Sequence, residues 1–386
     1  MSGSRTAAPP VYVDSDAALR KLADDLLGER AIAIDTESNS LYAYRERLCL
    51  IQISSGLGDV LVDPLAGLDL TPLVPVFADP GIVKVFHDAE YDILTLKRAH
   101  AFEFTSVFDT KVAAMSLGRQ NLGLAAALEE HFGVRLDKRL QRSDWGMRPL
   151  TEEQKQYARL DTHYLLELAR KLRAAVVAAG PLHVLEVTAE CRRLAALVPP
   201  PRQFDPDAWA GLRGAEQLDP QGRRRLRELF LMRERIAEDR DVPPFKVAGN
   251  DLLVEIARRA PRDADELAAV PGMTPRLAER LAPPVLGALR RAARLRPIAA
   301  LPRQEGEGAV ALTPAQRRVY DRLRSWRKLT AASRKVDASL IVPRQLLLDL
   351  AAVRPVPRTR EALLETGLLE PWRVEHYGDG ILAALA

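Results

Sequence analysis

Hydrophobic positions change rhythm twice along the chain. Between residues 31 and 86 they come in short runs: Ala31–Ile34, Leu48–Ile53, Val60–Val62 and Ile82–Phe86, the last following the Asp79-Pro80-Gly81 turn. Runs of this length, rich in Leu, Ile and Val and bounded by turn residues, predict buried strands. Around them the spacing is helical. It predicts helices over Ala17–Leu27, with Asp14 or Asp16 as a cap, and over Asp92–Ala99, Thr110–Leu117, Leu122–Phe132 and Glu152–Ala178. Strands interleaved with helices indicate an α/β layer on a mixed sheet. The short links between the first strands make part of that sheet antiparallel.

The rhythm breaks at Val198-Pro-Pro-Pro-Arg-Gln-Phe204, because three consecutive prolines favour an extended, semi-rigid linker. Only helical periodicity follows: Arg223–Asp239, Asp251–Arg258, Asp263–Ala269 and Arg276–Ala293. A second linker, Pro297 to Leu312, contains Pro302 and Glu305-Gly-Glu-Gly308. A second helical set runs over Thr313–Thr330, Pro343–Val353, Thr359–Glu365 and Pro371–Leu385. Each set has an Arg-rich first helix, a Val-Pro loop (Val242-Pro243, Val342-Pro343) and then an apolar helix (Asp251-Leu-Leu253, Gln345-Leu-Leu-Leu348). This is a faint internal duplication. The predicted division is 1–200, 205–297, a linker at 298–312, and 313–386.

Composition narrows the class. Of 386 residues, 47% are hydrophobic and 28% charged, which excludes wholesale disorder. No apolar run reaches the ~18 residues of a membrane span. The stretch MSGSRTAAPP lacks a basic region followed by an apolar core, so no secretory signal is expected. Cys49 and Cys191 are the only cysteines, which excludes a disulfide scaffold or a four-cysteine zinc site and points to the cytoplasm. The net charge of +4 is unevenly spread: residues 1–200 carry −4 and residues 201–386 carry +8. A basic half suits a polyanionic partner, although Arg-rich solvated helices give the same balance.

Three segments carry candidate chemistry. In Ala31-Ile-Ala-Ile-Asp35-Thr-Glu37 the acids are two apart on a strand, so both point to one side. Two carboxylates at 4 Å repel by ~4 kcal/mol at an effective dielectric of 20. A hard cation such as Mg2+ or Mn2+ would reverse that; acids at an exposed strand end capping a turn fit equally. In Val83-Lys-Val-Phe-His87-Asp88-Ala-Glu90-Tyr-Asp92 a buried strand runs into acids that a helix N-terminus favours. In Gln154-Lys-Gln-Tyr157-Ala-Arg-Leu-Asp161-Thr-His163, Tyr157 and Asp161 share a helix face, as a water-orienting pair or as packing and a surface acid.

Together, Asp35-x-Glu37, Asp92 and Tyr157-x-x-x-Asp161 resemble the three motifs of the DEDD exonuclease superfamily in its tyrosine-containing branch. Leu48-Cys-Leu-Ile-Gln-Ile-Ser54, Phe108-Asp-Thr110 and Ser143-Asp-Trp-Gly-Met-Arg-Pro-Leu-Thr151 are similar to ribonuclease D over about residues 10–195. Phe230 to Arg235, Arg240-Asp-Val-Pro-Pro-Phe245, Asp251-Leu-Leu253 and Leu267 to Gly272 resemble the HRDC module, and 313–386 look like a second, divergent copy. The resemblance implies an RNase H-like mixed-sheet exonuclease domain followed by two all-α HRDC domains.

The same resemblance implies two-metal 3′–5′ hydrolysis of RNA to nucleoside 5′-monophosphates, in maturation of tRNA precursors and other structured RNA. By position, Asp35 would bridge two divalent ions, Mg2+ or Mn2+. Glu37 and Asp161 would complete the first site, with Glu37 near the 3′-hydroxyl. Asp92 would hold the second ion, and Tyr157 would orient the water. Leu41 would wedge between the last two bases, or serve as a core Leu. His87 would approach the terminal nucleotide. Asp109 and Asp144 would be supporting hydrogen-bond partners. Arg223-Arg-Arg225, Arg258-Arg259, Arg290-Arg291 and Arg317-Arg318 would contact phosphates or form helix-surface ion pairs. No residue identifies a 2′-hydroxyl reader, so a DNA exonuclease and a non-catalytic RNA-binding scaffold stand as alternatives. Neither a protein partner nor a Gly-rich phosphate loop is indicated.

Overall fold

The computed structural model describes residues 9–200, 204–302 and 312–386. Pro201 in the proline linker, and Glu305-Gly-Glu-Gly308 in the second linker, lie outside the described residues. Among the described residues two compact units form, one drawn from 9–37, 48–199 and 312–386, the other from 38–47, 200 and 204–302.

The first unit is built on a six-stranded sheet: β1 (Val11–Val13), β2 (Ala31–Ser38), β3 (Leu48–Ser55), β4 (Gly58–Val62), β5 (Val83–Phe86) and β6 (Val107–Asp109). The spatial order is β1-β4-β3-β2-β5-β6. β3 and β4 are antiparallel, from Ile51 opposite Val62 to Ser55 opposite Gly58. β1 runs parallel to β4, β2 to β5 and β5 to β6. The mixed sheet follows from link length: the β3–β4 turn is too short for a crossover, whereas a helix separates β5 from β6.

Among the described residues, eight α-helices accompany the sheet: α1 (Asp16–Leu26), α2 (Leu73–Ala78), α3 (Glu90–His100), α4 (Thr110–Ser116), α5 (Leu124–Phe132), α6 (Glu152–His163), α7 (Leu165–Ala179) and α8 (Pro181–Ala195). The main core joins Ile32, Ile34, Ile51 and Ile53 of the sheet to Leu19, Phe77, Ile93, Leu128 and Leu168 of the helices. A smaller cluster joins Cys49, Leu50 and Leu61 to Trp145, Leu150 and Ala158, so β3 is apolar along both faces. Strands β1 and β6 and helix α2 are too short to show a period in the sequence. The helix expected over Glu152–Ala178 is two helices, broken at Tyr164 (φ −97°, ψ −6°). Tyr164 packs on Phe132 at 5.1 Å between ring centroids, and neither proline nor glycine marks the break.

The two helical sets share an order of elements. The first has α9 (Pro220–Asp239), α10 (Pro244–Val247), α11 (Asn250–Arg259), α12 (Ala264–Ala268) and α13 (Pro275–Ala293). The second has α14 (Pro314–Arg334), α15 (Ala338–Ile341), α16 (Arg344–Ala352), α17 (Arg360–Glu365) and α18 (Pro371–Leu385). Asp219 caps α9, and Thr313 with Gln316 forms a capping box on α14. Each has its own core, around Trp209, Leu226, Leu253 and Val285 in the first and Leu323, Leu347, Leu363 and Ile381 in the second. The loop 38–47 belongs with the first set: Tyr44 packs on its core, and its N–H donates to Asp241 at 3.0 Å.

Ile51 is fully buried in the central strand β3. Ile51→Ala is expected to cost about 2–5 kcal/mol, read as a lower urea midpoint.

Candidate active site

Strand β2 runs from fully buried Ile32, Ala33 and Ile34 to Asp35 and Glu37, which share one side of the strand. Asp161 comes from α6, one turn beyond Tyr157. Asp35, Glu37 and Asp161 each offer a carboxylate oxygen, and these oxygens lie within 4.8 Å of one another. Asp92 enters from the first turn of α3, where the helix dipole favours an acid. The Thr36 hydroxyl donates to Asp92 Oδ1 at 2.5 Å and ties α3 to the strand carrying the other acids.

Burial and mutual repulsion set the electrostatics. Desolvation pushes Asp35 up to about 7. Desolvation followed by the charges of Asp35, Asp161 and Asp92 pushes Glu37 up to about 10. Asp92 and Asp161 stand well above the carboxylate range, from burial first and Asp35 second. Among the described residues, none of the four forms an ion pair. An all-oxygen cluster that resists ionisation fits a hard divalent cation. Burial, then Asp161, Glu37 and Asp35, raise the Tyr157 phenol, so it keeps its proton at neutral pH.

Other acids nearby have found partners. Asp59 accepts from Arg159 Nε at 2.6 Å, His163 Nδ1 at 2.7 Å and Ser54 Oγ at 2.6 Å. Burial raises its pKa, but these hydrogen bonds outweigh it and hold Asp59 at about 2. Asp63 accepts from Tyr12 at 2.6 Å and from both Nε and Nη2 of Arg148. Arg148 also reaches the carbonyls of Cys49 and Trp145, so it pins the segment before α6 to the sheet. Trp145, 1% exposed, stands 6.1 Å from the Tyr157 ring. Asp109 caps α4 and accepts from the N–H groups of Asp88 (3.2 Å) and Ala89 (2.7 Å), fixing the start of α3. The Asp144 carboxylate accepts the nearby Gly146 N–H at 3.0 Å, a local turn. Of these supporting residues, sequence reasoning singled out Asp109 and Asp144 and missed Thr36, Asp59 and Asp63. Apart from Ser54, five positions before Asp59, the side-chain partners named here are 51 to 104 positions away, beyond any local pattern.

His87 directs its ring nitrogens inward, Nδ1 to Thr110 Oγ1 at 2.8 Å and Nε2 to the Leu122 carbonyl at 2.9 Å. A substrate contact would require exchanging one of these. Leu41 lies in the loop 38–47 and is 40% exposed. Many of the paired arginines are used internally. Arg223, Arg224 and Arg225 donate to the carbonyls of Ala299, Arg296 and Ala257. Arg258 and Arg259 both pair with Glu255. Arg290, Arg317 and Arg318 are exposed.

Comparison with known proteins gives two family matches, 3′-5′ exonuclease over residues 10–176 and HRDC domain over 222–289 and 316–385. Protein RRP6-like 3 of Arabidopsis thaliana is 43% identical over 42% of this chain; the match spans 18% of that protein's length. Ribonuclease D of Gluconacetobacter diazotrophicus is 32% identical over 97% of this chain and 92% of its own. The crystal structure of Escherichia coli RNase D, described as an exoribonuclease involved in structured RNA processing, matches at a TM-score of 0.66 and 28% identity. That match covers 98% of this chain and 99% of the other. No helix among the described residues is long and apolar enough to cross a membrane.

The raised acids fix the sign of a pH effect. At pH 7 the metal-free site still holds protons that ordinary carboxylates would have lost, so cation uptake must expel them. Mn2+ affinity is expected to rise between pH 6 and 8 with net proton release, measured by calorimetry in two buffers of different ionisation enthalpy. Affinity independent of pH would contradict the geometry.

Proposed function

The chain belongs to the ribonuclease D family, and on that premise we propose that it removes nucleotides from the 3′ end of RNA through the site formed by Asp35, Glu37, Asp92, Tyr157 and Asp161. The observation that carries this is the convergence of three carboxylates from β2 and α6 within 4.8 Å, none of them in an ion pair among the described residues.

Asp35, Glu37, Asp92 and Asp161 would hold two divalent ions, Mg2+ or Mn2+, with Asp35 common to both. Such ions supply a polarised water and neutralise the leaving oxygen. The chain's own contribution is placement. Asp35 and Glu37 ride on a strand whose apolar half is fully buried, so their spacing is fixed by the sheet. Thr36 holds one oxygen of Asp92. Tyr157, kept protonated by its setting, donates or accepts through its hydroxyl to orient the attacking water; it does not serve as the base. Glu37 would read the terminal 3′-hydroxyl, Leu41 would wedge at the last base step, and His87 would approach the terminal nucleotide after giving up an internal hydrogen bond.

The domain division that supports this reading is an exonuclease domain at 1–200 and helical modules at 205–297 and 313–386, joined by 298–312. The substrate would be tRNA precursors or other structured RNA in the cytoplasm, drawn in by the basic half of the chain. Retention of all four acids with Tyr157 argues against a purely RNA-binding scaffold.

The test is digestion of RNA labelled at the 3′ or 5′ end, with Mg2+ or Mn2+, with and without EDTA, beside a matched DNA strand. Mononucleotides should leave from the 3′ end, and chelation or Asp35→Asn should abolish this. Tyr157→Phe should lower kcat about a hundredfold with little change in KM, since it misplaces a reactant without removing a binding contact. RNA that binds but is never shortened, with either metal, would overturn the reading. Cleavage of DNA at the rate of RNA would reassign the substrate.

A further inference from the structure

Helix α8 is gripped on two sides. Glu186, fully buried, receives both terminal nitrogens of Arg334 on α14, the second of them at 3.0 Å, and the hydroxyl of Tyr377 on α18. A buried carboxylate is costly without partners, and both partners come from the second helical module. The same seam is closed elsewhere. The Asp337 N–H donates to the Met115 carbonyl at 3.2 Å. Leu340 of the module enters the α/β core, and Leu182 of α8 packs on the module's core. Gly118 adopts φ +69°, and a Cβ there would stand 2.1 Å from the Lys335 carbonyl. Backbone meets backbone at that point, which leaves no room for a side chain.

The other side of α8 grips the elements that carry Asp92. The Cys191 sulfur accepts the Asp109 N–H at 3.3 Å. Lys97 of α3 donates to the Ala195 carbonyl at 2.9 Å, and Arg193 pairs with Glu90 in the first turn of α3 at 3.5 Å. Asp109 in turn holds the amides of Asp88 and Ala89, with Asp88 in the left-handed region at φ +71°. A non-glycine residue there stays only where its surroundings hold it.

We propose that Glu186, Arg334 and Tyr377 are positioning residues: through α8 and Asp109, the second helical module sets the place of α3 and hence of Asp92. The module is then a brace for the acid site as well as any surface it offers to RNA. The kinetic part rests on the exonuclease reading; the structural part does not.

The experiment uses the full chain, wild type against Glu186→Gln and Tyr377→Phe, with melting temperatures confirming that the variants are folded at the assay temperature. Turnover is measured on a long RNA and on a p-nitrophenyl ester of a nucleoside 5′-monophosphate, which reaches only the acid site. Amide exchange is followed at residues 86–93. The expected result for Glu186→Gln is a kcat lower by about ten- to a hundredfold on both substrates, with KM for RNA within about twofold, and faster exchange at the start of α3. Tyr377→Phe, which keeps the ion pair, should show the same pattern more weakly and stands in if Glu186→Gln does not fold. An ester turned over at the wild-type rate while KM for RNA rises would overturn the proposal and make the module an RNA contact alone. Unchanged exchange at residues 86–93 would also overturn it. If wild type cleaves neither substrate, the exonuclease reading fails, and the exchange comparison still decides the brace.

Discussion

Carboxylates gathered with no ion-pair partner among the described residues are the constraint around which the first unit is organised. Asp35, Glu37 and Asp161 come within 4.8 Å, and burial pushes each upward. At that separation two full charges repel by roughly 3–4 kcal/mol at an effective dielectric of 20. The neighbouring acids show that this is a choice of partners. Asp59 and Asp63, also partly buried, are held low by Arg159, His163, Arg148 and Tyr12. The fold supplies counter-charge to the acids that hold its elements together and withholds it from the acids of the site. Asp109 differs from both: burial raises it, and main-chain N–H groups of Asp88 and Ala89 hold it in place of a cation.

The supporting acids also explain why the site is stiff. Asp59 joins β4 to α6, Asp63 joins β1 and the 145–148 segment to the sheet, and Asp109 joins β6 to the start of α3. Asp59 and Asp109 each bridge an element that carries a site residue to one that does not. The second helical module extends the same logic outward through α8. Its docking includes one buried carboxylate, Glu186, with both partners across the seam.

Arginine content is a weaker guide to RNA contact than it looks. The run Arg223 to Arg225 is drawn back onto main-chain carbonyls of its own unit, and Glu255 takes both Arg258 and Arg259. A guanidinium with five donors readily ties helix ends together, so a basic composition is partly a folding device.

The sequence by itself determined the pieces whose physics is local. Alternation along β2 put Asp35 and Glu37 on one side, the four-residue spacing put Tyr157 and Asp161 on one face of α6, and the shift from short apolar runs to helical periods separated the mixed sheet from the helical sets. The order of helices in the two sets was legible for the same reason. Tertiary structure alone decided what depends on residues far apart: that Thr36 holds Asp92, that Asp59 anchors α6, that α8 links Glu186 to Asp109, and that the helix expected over Glu152–Ala178 breaks at Tyr164. Periodicity reports only which face of an element is buried; which distant partner it meets is settled when loop-closure entropy is spent and the core closes.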